Sequence, residues 1–114
     1  MANKVERDKI ERCLEAARLA PSACNSQPWY FVVVDNSELR DEIAQKTLLP
    51  FTSMNRFALN APVIVALIAK RSKMTAQLGG SIKTKKFNLI DIGIAAEHFC
   101  LQATEVCGLA HGAA

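Results

Sequence analysis

The sequence lacks several features that would assign a protein to a class at once. It contains no run of eighteen apolar residues, so no segment is long enough to cross a membrane as a helix. Its four cysteines form no Cys-x-x-Cys pair, and its two histidines have no zinc-ligand spacing, so no metal site is expected. Charged residues begin at the fourth position and leave no room for an export signal. We therefore expect a cytoplasmic protein with reduced, buried thiols.

Acidic residues are missing from one long stretch. From residue 43 to residue 90 there is no aspartate or glutamate, although the net charge of the whole chain is only +3. We favour a solvated basic surface here; the alternative is an electrostatic field that attracts phosphate-bearing small molecules. Nucleic acid is not an expected partner, because the stretch has no interleaved aromatic residues and no known reader motif. The basic residues are Lys46, Arg56, Lys70, Arg71, Lys73, Lys83, Lys85 and Lys86.

Length and composition favour a folded protein of modest size. The chain has 114 residues, of which half are hydrophobic and 22% are charged. This balance is ordinary for a globular protein, and we expect one domain over residues 1–114. A chain this short can bury only a modest core, so a shared core with a second subunit would stabilise it considerably.

Hydrophobic periodicity predicts the first four elements. Residues 5–20 have helical spacing of apolar positions, and Pro21 ends this helix. Residues 21–28, PSACNSQP, have the composition of a loop. The run WYFVVV at residues 29–34 is typical of a buried strand. Asp35, Asn36 and Ser37 then provide a turn and a cap for a short helix over residues 38–46.

The second half predicts one more strand and one long helix. Residues 48–60 indicate a loop with a helical turn, and Pro62 precedes a second buried strand, VIVALIA, at residues 63–69. Residues 70–86 show no clear periodicity and are expected to form a long connection. Residues 88–107 predict a helix that ends at Gly108. The expected architecture is α+β, a small sheet flanked by helices.

The predicted last helix is apolar on nearly all sides. Such a helix needs packing partners on most sides, and the rest of the chain is too short to supply them all. Gly93, Ala95 and Ala96 are small enough to let another backbone approach closely. We therefore expect this helix to form part of an interface with a second copy of the chain.

Two segments resemble the nitroreductase family. Residues 16–34, AARLAPSACNSQPWYFVVV, are similar to the family pattern in which a helix, a Pro-Ser-x-x-Asn-x-Gln-Pro-Trp loop and a strand follow one another. Residues 89–109, LIDIGIAAEHFCLQATEVCGL, resemble the family's central helix. The resemblance covers most of the chain, although residues 70–86 match poorly. Family members begin earlier, with an Arg-Ser segment that binds phosphate, and continue beyond the central helix, so the chain looks truncated at both ends.

The resemblance implies a binding site for flavin mononucleotide (FMN) in the first segment. Short polar side chains past a helix end suit a ligand with a ribityl chain, a phosphate and polar ring edges. The alternative is that these side chains only satisfy the backbone of their own loop. By resemblance the site is shared across a homodimer interface, with Asn55 as a weaker candidate from the region before the second strand. The loop residues implied are Pro21, Ser22, Ala23, Asn25 and Gln27.

No catalytic acid or base stands out. His98 lies alone in the predicted last helix and is interpreted as a packing or interface residue. Cys24 lies in the loop with no basic residue beside it in sequence, so we interpret it as a small apolar filler.

The expected function follows from the resemblance. An FMN-dependent enzyme of this type uses NAD(P)H to reduce nitroaromatic, quinone or flavin acceptors by a ping-pong mechanism. The alternative is a truncated, non-catalytic dimer module that binds flavin weakly or not at all. A thiol-based redox protein is a third hypothesis, which the missing Cys-x-x-Cys pair counts against.

Overall fold

The structure is a computed structural model that describes residues 4–70 and 82–108. Its helices and strands follow one another in an α+β arrangement, as expected from the sequence. Two short 3-10 turns, Ala23–Asn25 and Arg56–Asn60, lie between them. In chain order the elements are α1 (Arg7–Arg18), β1 (Trp29–Val34), α2 (Ser37–Lys46), β2 (Ile64–Ala69) and α3 (Ile82–Cys107).

Local signals set several helix ends where the sequence predicts them. The Asn36 side-chain oxygen accepts a hydrogen bond from the Leu39 N–H at 3.0 Å and caps the start of α2. Gly108, at φ +80°, follows α3, and its N–H donates to the Thr104 carbonyl at 3.0 Å. A left-handed glycine after the last turn is a common way to end a helix.

The start of α3 differs from the prediction. The sequence predicts a helix from residue 88, whereas α3 begins at Ile82. The intervening residues, IKTKKF, contain no glycine or proline, so nothing in them ends the helix. The predicted connection is correspondingly shorter, and residues 71–81 of it lie outside the described residues.

The two strands form an antiparallel pair. Trp29 lies opposite Ala69 at one end and Val34 lies opposite Ile64 at the other. Within residues 4–70 and 82–108, each strand has one hydrogen-bonded neighbour. The prediction that both strands are fully buried is wrong, because Tyr30 and its partner Ile68 are about half exposed. Only one face of the pair is covered by α3, and these two side chains lie on the other face.

The core lies between α1, α3 and the covered face of the sheet. Ala20, Trp29 and Ala95 form its buried cluster, and Phe31 and Leu67 of the two strands pack against that cluster. Phe31 also stacks on Phe99 of α3, with ring centroids 5.8 Å apart. On the other side, α1 packs along α3.

The cysteines do not share one environment. Cys13 is buried on α1, Cys100 is half-buried on α3, and Cys24 and Cys107 are exposed. The expectation of buried thiols therefore holds only for Cys13. Exposure follows the position of each residue: Cys24 lies in the loop, and Cys107 is the last residue of α3.

No helix in the described part of the chain is both long enough and apolar enough to cross a membrane.

Candidate functional site

The loop of residues 21–28 has an unusual backbone. Three of its residues have positive φ angles, Cys24 at 52°, Asn25 at 51° and Gln27 at 47°. Asparagine enters the left-handed region more readily than most residues, whereas cysteine and glutamine seldom do. Such strain persists only where the surroundings fix the conformation, and it is concentrated at ligand-binding sites. The backbone conformation thus indicates a candidate ligand-binding site in this loop.

Ser22 holds the loop in shape. Its carbonyl accepts the Asn25 N–H at 3.0 Å, and its hydroxyl oxygen accepts the Gln27 N–H, also at 3.0 Å. The Ala23 carbonyl accepts the Ser26 N–H at 3.1 Å. The Ser22 hydroxyl oxygen therefore satisfies a backbone N–H of its own loop, as the alternative interpretation expected. The O–H of the same hydroxyl group can still donate a hydrogen bond to another partner.

Asn25 and Gln27 form a polar pair on the exposed side of the loop. Gln27 Nε2 donates to Asn25 Oδ1 at 3.2 Å, and both residues are exposed. The bond leaves the Asn25 amide N–H groups as donors and the Gln27 carbonyl oxygen as an acceptor. Neither has a hydrogen-bond partner among the described residues. The pair can therefore bind a group that presents a donor and an acceptor next to each other.

Both ends of the loop are anchored in the core. Ala20, just before it, and Trp29, just after it, pack against Ala95 of α3. Pro28 is fully buried, and its carbonyl accepts the Lys70 N–H at 2.8 Å. The loop is consequently held at both ends while its middle is open to solvent.

Asp91 of α3 also contacts the loop, and this residue was not among those predicted from the sequence. Its Oδ2 accepts the Ala23 N–H at 3.1 Å, and only 4% of the residue is exposed. Among the described residues it is the one buried charged side chain. An acidic residue within an apolar helical run was the available signal, since buried carboxylates are rare unless they are paired.

Asn55 is not brought to the loop within one chain. Its side-chain amide donates to the Thr47 carbonyl at 3.1 Å, next to the end of α2. Its own backbone is left-handed, with φ at 66°, and it precedes the turn Arg56–Asn60. These contacts give Asn55 a structural role in the segment between α2 and β2.

Two other groups of polar residues have local partners. His98 Nδ1 lies 2.9 Å from the Ile94 carbonyl of the same helix. Lys46 pairs with Glu42, and Lys70 Nζ lies 4.9 Å from the centre of the Tyr30 ring. The side chains of the basic residues at 71, 73, 83, 85 and 86 lie outside the described part.

A cavity of about 950 Å³ lies away from the loop. It separates α1 from one end of the sheet, and its walls include Ile10, Leu14, Val33 and Val63. Charges of both signs surround it, so it shows no preference for an anion or a cation. No residue of the loop 21–28 lines it. Because none of its lining residues has a left-handed backbone, we place the candidate site at the loop.

The thiols give a test of the third hypothesis. Burial raises the pKa of the Cys13 thiol and that of the Cys100 thiol, so a smaller fraction of each is thiolate at neutral pH. With Ellman's reagent at pH 7.5 we expect the exposed Cys24 to react at least about 10-fold faster than Cys13. Mass spectrometry of the partly labelled chain identifies the order. Fast reaction at Cys13 would contradict the buried position and revive a thiol-based function.

The match to a protein-family model includes the loop. The model of the nitroreductase family matches residues 1–53, which contain α1, the loop, β1 and α2. The oxygen-insensitive NADPH nitroreductase of Helicobacter acinonychis (strain Sheeba) is 49% identical over 37 residues. That alignment covers 32% of this chain and 18% of the relative.

Solved structures match over nearly the whole chain. A nitroreductase family protein from Clostridium novyi NT has a TM-score of 0.73 at 30% identity, covering 92% of this chain and 56% of that one. An FMN-dependent nitroreductase from Clostridium difficile R20291 has a TM-score of 0.68 at 30% identity, covering 93% and 53%. The chain thus spans about half the length of these structures and a smaller share of the curated relative.

Proposed function

We propose that this chain acts as an FMN-dependent oxidoreductase, because it belongs to the nitroreductase family. In this proposal it uses NAD(P)H to reduce nitroaromatic, quinone or flavin acceptors. The similar protein from Clostridium difficile R20291 is FMN-dependent, and the one from Helicobacter acinonychis uses NADPH, as their names state. The observation that carries the proposal is the strained, anchored loop 21–28 with its exposed polar pair.

The residues present in the loop fit a flavin. A flavin ring carries N–H and C=O groups side by side at its polar edge, which requires an acceptor and a donor at short separation. Gln27 Oε1 supplies the acceptor and Asn25 Nδ2 the donor, and the bond between the two side chains fixes their spacing. The Ser22 hydroxyl can donate to a further oxygen of the ligand. Pro21 and Ala23 complete the surface on the same loop.

The shape of the loop favours tight binding. Pro21 and Pro28 restrict the backbone, and the Ser22 bonds hold it in one conformation before any ligand arrives. Less conformational entropy is then lost on binding than with an unconstrained loop. The contribution of this chain to catalysis is accordingly to bind and orient the ring.

When bound, FMN supplies the two-electron chemistry, so that NAD(P)H is oxidised in one half-reaction and the acceptor is reduced in the next. This division is the ping-pong mechanism. We assign no catalytic acid or base within the chain, and the acceptor takes its protons from solvent. His98 stays outside the mechanism because its Nδ1 faces the Ile94 carbonyl.

We also propose that the active form is a homodimer in which α3 of one copy packs against α3 of another. One face of α3, here called the open face, consists of Ile90, Gly93, Glu97, Leu101 and Thr104, all exposed. Ile90 is 57% exposed and Leu101 is 61% exposed. A side chain added at Gly93 would meet nothing within 4 Å, so a second helix has room to approach. Asn55 remains a candidate contact from the partner copy.

A flavin titration of the purified chain tests the function. We expect quenching of FMN fluorescence, absorbance at about 450 nm in the bound form, and bleaching of that absorbance when NAD(P)H is added. In the double variant N25A/Q27A two hydrogen bonds are lost, which weakens FMN binding by about 5- to 150-fold. The matched control is Q45A/N60A, which removes the same side-chain types from exposed positions on α2 and the second turn. A wild-type chain that leaves FMN fluorescence unchanged would instead support the non-catalytic alternative.

A further inference from the structure

We infer that Asp91 is a positioning residue that fixes the loop 21–28 in the conformation that binds FMN. This inference rests on the proposed function. It assigns a role in ligand affinity to a side chain that belongs to another element and hydrogen-bonds to the backbone of the loop. The observation behind it is the 3.1 Å hydrogen bond from the Ala23 N–H to Asp91 Oδ2.

The position of Asp91 on α3 suits this role. Asp91 and Ala95 are four residues apart and therefore lie on the same face of the helix, opposite the open face. Ala95 packs against Ala20 and Trp29, the residues on either side of the loop. One face of α3 thus holds the loop at its start, at its end and, through Asp91, at its first turn.

The Ala23 N–H has no cap within its own loop. Ser22 precedes the turn Ala23–Asn25 with an extended backbone, the position of a helix cap, but its side chain makes no cap hydrogen bond. The Ser22 hydroxyl oxygen is taken by the Gln27 N–H instead. Asp91 replaces the missing cap from a distance of 68 residues in sequence, and this frees Ser22 to close the second half of the loop.

A carboxylate is a costly choice for a merely structural contact. Burial of a charged group is unfavourable unless strong hydrogen bonds compensate for the lost water. A carboxylate accepts a stronger bond from an N–H than a neutral oxygen does, so it holds the strained turn more firmly. Two of the three left-handed residues, Cys24 and Asn25, lie in the turn that begins at Ala23.

Amide exchange in the flavin-free chain tests the inference directly. Nuclear magnetic resonance should show the Ala23 amide exchanging at least about 10-fold faster in D91A than in the wild type. In D91N, which keeps an acceptor of the same shape, we expect a rise of about threefold or less. V34A is the control, because Val34 is buried at the other end of β1 and its loss lowers stability without touching the loop. D91L, which fills the space without offering an acceptor, replaces D91A if that variant does not fold.

FMN affinity gives the second readout. We expect D91A to weaken binding by about 10-fold, D91N by about threefold or less, and V34A to leave it unchanged. Equal Ala23 exchange in D91A and the wild type, or equal effects of V34A and D91A on the loop, would overturn the inference. A wild type that binds no FMN would overturn the proposed function, and the exchange of the Ala23 amide would still decide whether Asp91 positions the loop.

Discussion

The variant I90K/L101K is expected to be monomeric and to bind FMN far more weakly than the wild type. Both side chains are more than half exposed on the open face, so the fold of one copy tolerates lysine there. In a dimer, however, each leucine buried is worth about 1.5 to 3 kcal/mol, and each change occurs twice. Leu101 is 61% exposed in one copy, so a partner can bury about three fifths of it. For Leu101 alone, counted twice, this gives about 2 to 4 kcal/mol, or a dimer dissociation constant raised by about 30- to 10³-fold. Sedimentation velocity measures the mass, and fluorescence quenching measures FMN binding.

The matched control is L39K, which places lysine on an exposed leucine of α2, away from α3. This variant should keep the mass and the FMN affinity of the wild type. If I90K/L101K stays dimeric, then α3 does not form the interface. If it becomes monomeric with unchanged FMN affinity, then the flavin site is complete within one copy and the proposal of a shared site is wrong.

Trp29→Ala is expected to lower the free energy of unfolding by about 3 to 5 kcal/mol. Trp29 is the largest member of the buried cluster with Ala20 and Ala95, and it lies directly after the loop. Its removal leaves a cavity between β1 and α3 that alanine side chains cannot fill. The whole stability of a domain is only about 5 to 15 kcal/mol, so the variant loses a substantial share of it.

Far-UV circular dichroism during urea unfolding is the suitable measurement, because Trp29 is the single tryptophan and its fluorescence is lost in the variant. Y30A is the control on the same strand. Tyr30 is about half exposed, so its removal should change stability by about 1 kcal/mol or less. Similar losses in the two variants would show that the core does not depend on the Trp29 contact.

Local chemistry made much of the fold predictable. Pro21 after α1, the Asn36 cap of α2 and Gly108 after α3 each act on their neighbours in sequence, so each could be inferred from the sequence alone. The apolar runs also located both strands, because a run of residue types is a local property of the sequence. Their degree of burial could not be inferred, since it depends on which elements cover each face of the pair.

The site shows the same division between local and distant contacts. The loop was recognisable because its residues are contiguous. Asp91 offered one local signal, an acidic residue within an apolar helical run, but its contact with Ala23 joins positions 68 residues apart and could not be inferred from it. The division of labour between Ser22, which shapes the loop, and the exposed pair Asn25 and Gln27 also depends on backbone angles that composition does not specify. Residue types thus predicted the candidate binding loop, and the structure was needed to separate the residues that shape the loop from those exposed on it.

In the part of the chain that the structure describes, β1 and β2 pair only with each other, which has a consequence for how the protein behaves in solution. Each strand has one side of its backbone engaged, and within residues 4–70 and 82–108 no ladder takes up the other side. β2 reads IVALIA, without the lysine or proline that commonly discourages a further strand from adding. Such an open strand edge, here called the rim, pairs readily with a strand from another polypeptide chain. Storage at high concentration or mild heating should therefore produce aggregates before the helices melt, unless another segment or subunit covers the rim.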